Sequence, residues 1–597
     1  MNPAASRAAA ATAAAAALLP TGTAVIQFAS AVDDTPTGPV LDVPLSSTPA
    51  QLTALLNELL GDSDEPLPYA FFLPAPAKAA AAAAAAAAVP GVTPVLTIAP
   101  PAPVPVISSL SDAVTGAELS VERVLRISYR PQAVFRVRSV TRCTASLPGH
   151  AEAVLALAFS PDGKTLASGS GDTTLRLWGV TAGLPLATCT GHRGWVLALA
   201  WAGDGRSVAT GSTDGCVRVW AVAGIKMSSK GAPPSGRELV GHKKAVTCVA
   251  FQPYHLVAVG GTDGGATVPA VVTKLVSGSA DGGVRIWHTG TGRCERSLPP
   301  HAAAVTAVRW SGEAGTGGGG LIYSASRDRT VRVYDAAAGT LVRVLGGHGH
   351  WVNCLALNTD AVLRAGAFPS RAADGEGGTR PRPAPPPPGK NETRQVPPAG
   401  AGAGAAAGAV TAAAIAAGVL SPVQARERYE RAVARLGGER LVTGSDDFTL
   451  TLWTPATAKK SVARMAGHQQ LVNDVAFSPD GAYVASGSFD KSVRLWDGSG
   501  GGFVGVWRGH VGAVYQVGWS PDSRMVLSAS KDSTAKVWAV RPAAAGEPKG
   551  KGRNGQVGAL VAELPGHADE VYAAAWCGDG GWVATGGKDR VLKVWQH

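Results

Sequence analysis

The sequence predicts a mainly β fold, an eight-bladed β-propeller preceded by a small α+β head. Three observations lead there. A phrase of about forty residues recurs along most of the chain, which is the spacing of propeller blades. Eight histidines within it are each answered by a closing aromatic residue. Ahead of the first copy stands a differently patterned stretch, in which two short strands precede an amphipathic helix.

The clearest copy runs from Gly149 to Trp178, GHAEAVLALAFSPDGKTLASGSGDTTLRLW: a Gly-His pair, an apolar strand, a Ser-Pro-Asp-Gly turn, a second strand, and a third strand closing on Trp. The histidines are His150, His192, His242, His301, His348, His468, His510 and His567, and the closing aromatics Trp178, Trp220, Trp287, Tyr334, Trp453, Trp496, Trp538 and Trp595. Six residues before each aromatic stands Asp172, Asp214, Asp281, Asp328, Asp447, Asp490, Asp532 or Asp589. Ten residues before it stands Ser168, Thr210, Ser277, Ser324, Thr443, Ser486, Ser528 or Thr585.

This wording resembles the WD40 family from about Ala133 to the end. In that family His, Ser/Thr, Asp and the indole form a hydrogen-bonded tetrad inside each blade, so that buried polar groups satisfy one another. A recurring His-Ser-Asp set also suggests a nucleophile triad, but eight copies at one spacing read as structure, and no enzyme is expected. The resemblance further implies that the outermost strand of the last blade comes from the N-terminal side and closes the ring. VFRVRSV and TRCTASL are the two candidates for that strand.

Taken in order, residues 1–22 are mostly alanine and read as a disordered tail rather than an organelle address. Residues 23–132 form the head. TAVIQFAS and PVLDVPLS read as strands, and TPAQLTALLNELLG as a helix capped by Thr48, with Pro49 in its first turn and Gln51 completing a capping box. Leu52, Leu55, Leu56 and Leu59 make one apolar face, and Gly61 ends the helix. YAFFL, VISSL and VLRISY supply further strands, the order of a ubiquitin-like β-grasp. An Ala/Pro tract at 74–105 interrupts the head as a surface insertion. Residues 133–597 form the propeller. Its third repeat is stretched by HLVAVGGTDGGATVPAVVTK and its fourth carries GEAGTGGGG, with Pro300 in place of the glycine before His301. Its fifth is divided by a low-complexity and helical insertion at about 366–439. Within that insertion SPVQARERYERAVARLG reads as a charged helix capped by Ser421, with Pro422 at its first position.

Composition bounds the function. Gly 75 with only 16% charged residues suits many short strands and tight turns. Seven cysteines form no CxxC pair, which points to a reducing compartment without disulfides or zinc. A net charge of +11 suits an acidic or RNA-rich setting, though it is thinly spread. Arg541, Lys549, Lys551 and Arg553 make a basic linker before the last repeat, a candidate for rRNA contact that reads first as a solvated loop. The stretch GRELVGHKK lacks the lysine of a phosphate loop, having His242 in its place. No zinc spacing or nucleotide fingerprint appears, and no membrane span is expected.

A ubiquitin-like unit running into eight repeats, with the phrases PQAVFRVR, GHGHWVN, LVTGSDDFTL, ARMAGHQQLVNDVAFSPDG and ELPGHADEVYAAAW, resembles the Notchless family of large-subunit ribosome assembly factors. The resemblance implies a non-enzymatic assembly factor of the nucleolus and nucleoplasm, expected as a monomer with no cofactor of its own. Its propeller would bind the pre-ribosomal large subunit. Its head would dock on the MIDAS domain of the AAA ATPase midasin, placing one glutamate on the Mg²⁺ ion held there. Carried onto SVERVLRISY, that residue is Glu122, with Glu118 as the neighbouring candidate. The chemistry calls for an acid, because a hard cation with an open oxygen position is filled and neutralised by a carboxylate. On its own residues Glu122 reads as a solvated loop position. The alternative functions are a signalling scaffold or a substrate receptor of a cullin-type ubiquitin ligase. Those receptors usually carry Trp-Asp-x-Arg, whereas Trp496-Asp497 here continues with Gly498-Ser499.

Overall fold

The computed structural model describes residues 22–30, 36–60, 69–73, 104–105, 110–116, 124–131, 137–222, 236–257, 271–313, 315, 318–368, 419–540 and 558–597. The chain divides into two compact units, one formed by residues up to Val134 and the other by the repeats.

The first unit holds a five-stranded sheet ordered β2-β1-β5-β3-β4. Its strands are β1 (Thr23–Ser30), β2 (Pro36–Pro44), β3 (Tyr69–Leu73), β4 (Val104–Pro105) and β5 (Leu125–Pro131). β1 pairs antiparallel with β2 and parallel with β5. Alternation along β1 turns Ala24, Ile26 and Phe28 to the core and leaves Val25 exposed, as period-2 patterning requires. Helix α1 (Pro49–Leu60) lays Leu52 and Leu56 on that core, with Leu55 and Leu59 at its edge. Its N-terminus departs from a full capping box. Gln51 Oε1 accepts the Thr48 N–H at 2.9 Å, while the Thr48 hydroxyl also donates to Gln51, at 3.3 Å, and so does not cap the helix. Of the expected strand VISSL, residues 106–109 lie outside the described residues, and Leu110 opens a short helix, α2 (Leu110–Gly116). Its N–H is taken by the Ser47 carbonyl at 3.0 Å, and Leu110 and Val114 point into the core.

The second unit is built of four-stranded antiparallel sheets, eight among the described residues. The first strand of each opens on a buried valine: Val154, Val196, Val246, Val305, Val352, Val472, Val514 and Val571. These strands pack one against the next, and that of the last sheet packs against that of the first. Glycine permits the approach. A Cβ on Gly169 would lie 2.7 Å from Cγ1 of Val196, and one on Gly586, in the last sheet, 2.8 Å from Cγ1 of Val154, in the first. The contact between neighbouring sheets is thus repeated between the last and the first.

The last sheet takes its fourth strand from the N-terminal side. β6 (Arg142–Pro148) pairs antiparallel with Val591–Gln596, with Cys143 opposite Trp595. TRCTASL therefore supplies the closing strand and VFRVRSV does not. In the latter, Val137 and Val140 sink into a core with Leu527 and Trp576, and the Val137 N–H donates to Asp522 at 2.7 Å.

Insertions in the third, fourth and fifth repeats all fall between the first and second strands of their sheets, hence on one face. The fifth repeat leaves its sheet at Asn358, earlier than the expected 366, and forms α3 (Asp360–Ala365) before the residues that lie outside the description. It returns through α4 (Pro422–Leu436), where Ser421 and Gln424 form a capping box with Pro422 at the first position. The basic linker residues Arg541, Lys549, Lys551 and Arg553, the tail 1–21 and most of the Ala/Pro tract lie outside the described residues.

Candidate functional site

In the first repeat the Asp172 carboxylate can only accept, so the bond of 2.8 Å to His150 places a proton on Nδ1 of the ring. Nε2 then accepts from the Ser168 hydroxyl at 2.8 Å, and Ser168 in turn accepts the Trp178 indole N–H at 2.8 Å. Asp172 Oδ2 also takes the Ala151 N–H, and Oδ1 the N–H and hydroxyl of Thr174. Burial by itself would raise this carboxyl, but those donors hold it well below the usual carboxylate range.

The same geometry joins His192, Thr210, Asp214 and Trp220. It joins His468, Ser486, Asp490 and Trp496, and likewise His510, Ser528, Asp532 and Trp538. His567, Thr585, Asp589 and Trp595 repeat it in the last sheet. His242, Ser277, Asp281 and Trp287 are joined more loosely, with 3.3 Å between His and Asp, as are His348, Thr443, Asp447 and Trp453. The fourth repeat differs. His301 meets Asp328 and Ser324, and the Tyr334 hydroxyl, which also interacts with Ser324, donates to the carbonyl of Pro299 at 2.9 Å.

These hydroxyls are fully buried and occupied on both sides, so none is presented as a nucleophile. Desolvation pushes His192, His242, His301, His468 and His567 below the ordinary imidazole value, against the pull of their aspartates. The seven cysteines are free, and burial drives the Cys189 thiol up to about 12. Among the described residues no group of three or more His, Cys, Asp or Glu could hold a metal, and no helix is long and apolar enough to cross a membrane. Asp497, of the Trp-Asp pair, accepts from Ser499 and Gly500 in a turn.

Glu122 and Glu118 both fall in the connection between α2 and β5, outside the described residues. What frames them is β5, the strand that runs parallel beside β1 in the middle of the sheet.

The sequence reading missed one polar cluster. Ala425, Arg428, Tyr429 and Ala432 form a buried face of the charged helix α4, and their spacing of three and four residues was the available signal. Tyr429 stacks on His255 of the third repeat, with ring centroids 4.5 Å apart, and His255 donates to the Gly312 carbonyl of the fourth. Buried Glu439 accepts hydroxyls from Ser311, Tyr323, Thr359 and Tyr429. Three insertions are thereby tied into one mass. Arg428 donates to the carbonyls of Gly366 and Phe368, and the Leu420 N–H to that of Ala367. The two ends of the fifth-repeat insertion are thus held side by side.

Comparison with known proteins follows the same division. The family described as WD domain, G-beta repeat, matches residues 141–179, 183–221, 234–288, 292–335, 459–497, 501–539 and 558–596. The unmatched interval contains the divided fifth repeat. The family described as NLE (NUC135) domain matches residues 24–74. The chain is 43% identical over 443 residues to the Protein Notchless of Drosophila melanogaster, covering 74% of this chain and 72% of that one. It is 41% identical to the Notchless protein homolog of Arabidopsis thaliana, over 79% of this chain and 80% of that one. To Ribosome assembly protein 4 of Saccharomyces cerevisiae it is 36% identical, over 78% and 76%.

Proposed function

The chain belongs to the Notchless family of WD40-repeat proteins, and from that membership we propose that it is a non-enzymatic assembly factor of the large ribosomal subunit, acting in the nucleolus and nucleoplasm. The observation that carries this reading is the shared order of an NLE head and WD40 repeats with relatives that include Ribosome assembly protein 4, along about three quarters of the chain. We read the four-stranded sheets as the blades of an eight-bladed propeller and the head as a ubiquitin-like β-grasp. The parallel pairing of its first and last strands and the helix after its second strand support that reading of the head.

In this account the propeller sits on the precursor particle while the head is gripped through Glu122 by the MIDAS domain of midasin, with Mg²⁺ at the interface. ATP-driven movement then pulls the factor away. A ring suits the task because satisfied tetrads and a shared closing strand spread the load over many sheets. Sedimentation of large-subunit precursors tests it. Deleting residues 23–130 should leave the chain on the particle and prevent its release by ATP. Binding of particles by the head alone, with none by the repeats, would overturn the division of labour.

A further inference from the structure

Of the fifteen tryptophans only Trp195 and Trp351 are exposed, at 59% and 40%. Each stands directly before the buried valine that opens a first strand, in the second sheet and in the fifth. The other sheets carry Ala153, Ala245, Ala304, Leu471, Ala513 and Glu570 there, so nothing in the fold calls for an indole at that place. Both are pinned by their backbones: the Trp195 carbonyl accepts the Thr213 N–H and the Trp351 carbonyl the Asp446 N–H, each at 2.9 Å. Their side chains lean toward the turn of the preceding sheet. A Cβ on Gly171 would lie 3.8 Å from Cδ1 of Trp195, and the Arg327 guanidinium sits 4.6 Å from the ring centroid of Trp351.

Between the two tryptophans runs a row of exposed cations. Arg193 follows the tetrad histidine of the second sheet, Lys243 and Lys244 follow that of the third, and Arg327 and Arg329 stand in the turn between the second and third strands of the fourth. In an antiparallel sheet the start of the first strand and the turn between the second and third lie at the same end. These residues therefore share one face, opposite to that of the insertions. The tetrads hold them there: Asp214 accepts the Arg193 N–H at 3.0 Å and Asp281 the Lys243 N–H at 2.9 Å, which leaves both side chains to solvent.

Charge divides this face. Lys531 and Lys588, in the seventh and eighth sheets, pair with Glu570 at 3.8 Å and Asp569 at 3.2 Å, and Asp446 in the fifth is taken by Asn353 and His350. Among the described residues the five cations of the arc have no carboxylate partner, and the acid at its first-sheet end is Glu152, beside Gly171. Beneath the arc each tetrad aspartate is matched by an arginine four residues on, Asp214 by Arg218, Asp281 by Arg285 and Asp328 by Arg332, so that layer adds no net charge. Unpaired cations in a row suit the phosphates of a nucleic acid, and exposed indoles suit bases that are free to stack, which a duplex does not offer. An acidic peptide would use the cations and leave the indoles without a planar partner.

We propose that this arc binds a single-stranded RNA segment, with bases stacked on Trp195 and Trp351 and the phosphates between them on Arg193, Lys243, Lys244 and Arg327. That the strand is RNA rests on the reading of the chain as a ribosome assembly factor; the affinity for a single strand does not.

The test titrates the full chain, over a range of salt, with a labelled unstructured CA-repeat RNA of about twelve nucleotides, within the site sizes of such platforms. Wild type is expected to bind it at least tenfold more tightly than the same sequence as a duplex. Trp195→Leu and Trp351→Leu should each weaken the single strand about tenfold, the loss of one stacked base, and leave the salt dependence unchanged. Arg193→Gln, Lys243→Gln and Lys244→Gln together should lower the slope of log affinity against log salt by about two, at about 0.7 for each lost phosphate contact. Ultraviolet crosslinking should place the RNA on peptides that contain Trp195 and Trp351. The changed side chains are exposed, so melting temperatures should not move and lost binding cannot be laid to unfolding. No binding by wild type, equal affinity for the duplex, wild-type affinity in both tryptophan variants, or crosslinks confined to residues 541–553 overturns the proposal. So does displacement of the RNA by polyglutamate at equal charge. Sedimentation with precursor particles separates the two readings. A chain that binds RNA at this arc but joins no particle keeps the inference and loses the proposed function, whereas one that joins particles while its tryptophan variants bind RNA as wild type does loses the inference alone.

Discussion

The Tyr429 hydroxyl donates to Oε2 of Glu439 at 2.9 Å, joining the last turns of the inserted segment to the sheet it re-enters. Three further hydroxyls, from Ser311, Tyr323 and Thr359, complete the shell of that carboxylate. Burial raises the Glu439 carboxyl, and these donors partly offset the rise. The pairing is one part of a junction that fixes α4 and, through Arg428, the carbonyls of Gly366 and Phe368 at the start of the inserted segment.

Glu439→Ala should therefore cost more than its position outside the repeat phrase suggests. It leaves four buried hydroxyls without an acceptor, and a loss of about 3 kcal/mol is expected even if water satisfies some of them. Tyr429→Phe removes one bond and should cost about 1 kcal/mol. Urea midpoints of the two variants check both the size and the order.

Asp490→Ala should cost about 1 to 3 kcal/mol, because the His468 N–H, the Gln469 N–H and the Ser492 hydroxyl lose their acceptor. The folded-state carboxyls of Asp172, Asp447, Asp490 and Asp532 are lowered, so the stability they contribute is present above the unfolded value of 3.8 and is lost as pH falls through the folded one. The lowered tetrad histidines act in the same direction but begin earlier. Below 6.5 the unfolded chain takes up protons that the folded rings refuse. Melting temperature should decline from about pH 6.5 and collapse below about pH 4. A melt unchanged between pH 7 and pH 5 would contradict this account.

Asp474 behaves in the opposite sense. Desolvation raises its carboxyl to about 6, against bonds from the Val517 and Val475 N–H groups and the attraction of Arg309. The folded chain then holds a proton that the unfolded chain has lost, so between about pH 4 and pH 6 this residue subtracts stability as pH rises. Asp474→Asn can still accept the Val517 N–H. It should be more stable than wild type at pH 7.5 by up to about 3 kcal/mol, the size of a two-unit shift, with the gain vanishing near pH 4. Thermal melts of both proteins at the two pH values measure it.

If the head engages a MIDAS ion through Glu122, binding of the head to a recombinant MIDAS domain must need Mg²⁺ and fail with chelator. Glu122→Gln should be nearly as damaging as Glu122→Ala, since an amide brings no charge. Glu122→Asp shortens the reach by about 1.5 Å, one carbon–carbon bond, and should weaken the complex. Wild-type affinity in Glu122→Ala would transfer the role to Glu118 or to an apolar dock.

Much of the fold was legible because it is periodic. The His, Ser/Thr, Asp and aromatic positions recur at fixed offsets, and in seven of the eight repeats all four side chains meet. Tyr334 brings a phenol in place of the indole, and its proton goes to the Pro299 carbonyl, an acceptor that no spacing records. The insertions of the repeats were read only as a stretched turn, a glycine-rich turn and a low-complexity and helical segment. Their polar residues meet only across three repeats, as His255, Gly312 and Tyr429 do, and that information is tertiary.

The pairing of β6 with Val591–Gln596 also sets a schedule for making the protein. Chains emerge from the ribosome N-terminus first, so β6 is among the earliest repeat strands made and its partner among the last. Through nearly the whole of translation the nascent chain carries an open sheet edge at each end of a growing arc, the kind of edge on which strands of other chains add. Joining ends so distant in sequence is slow rather than costly, because loop-closure entropy grows only by about 0.6 kcal/mol for each doubling of length. A chain that stalls before Val591 is consequently the species for which chaperone protection matters most, and the arrival of a single strand ends that exposure at both edges at once.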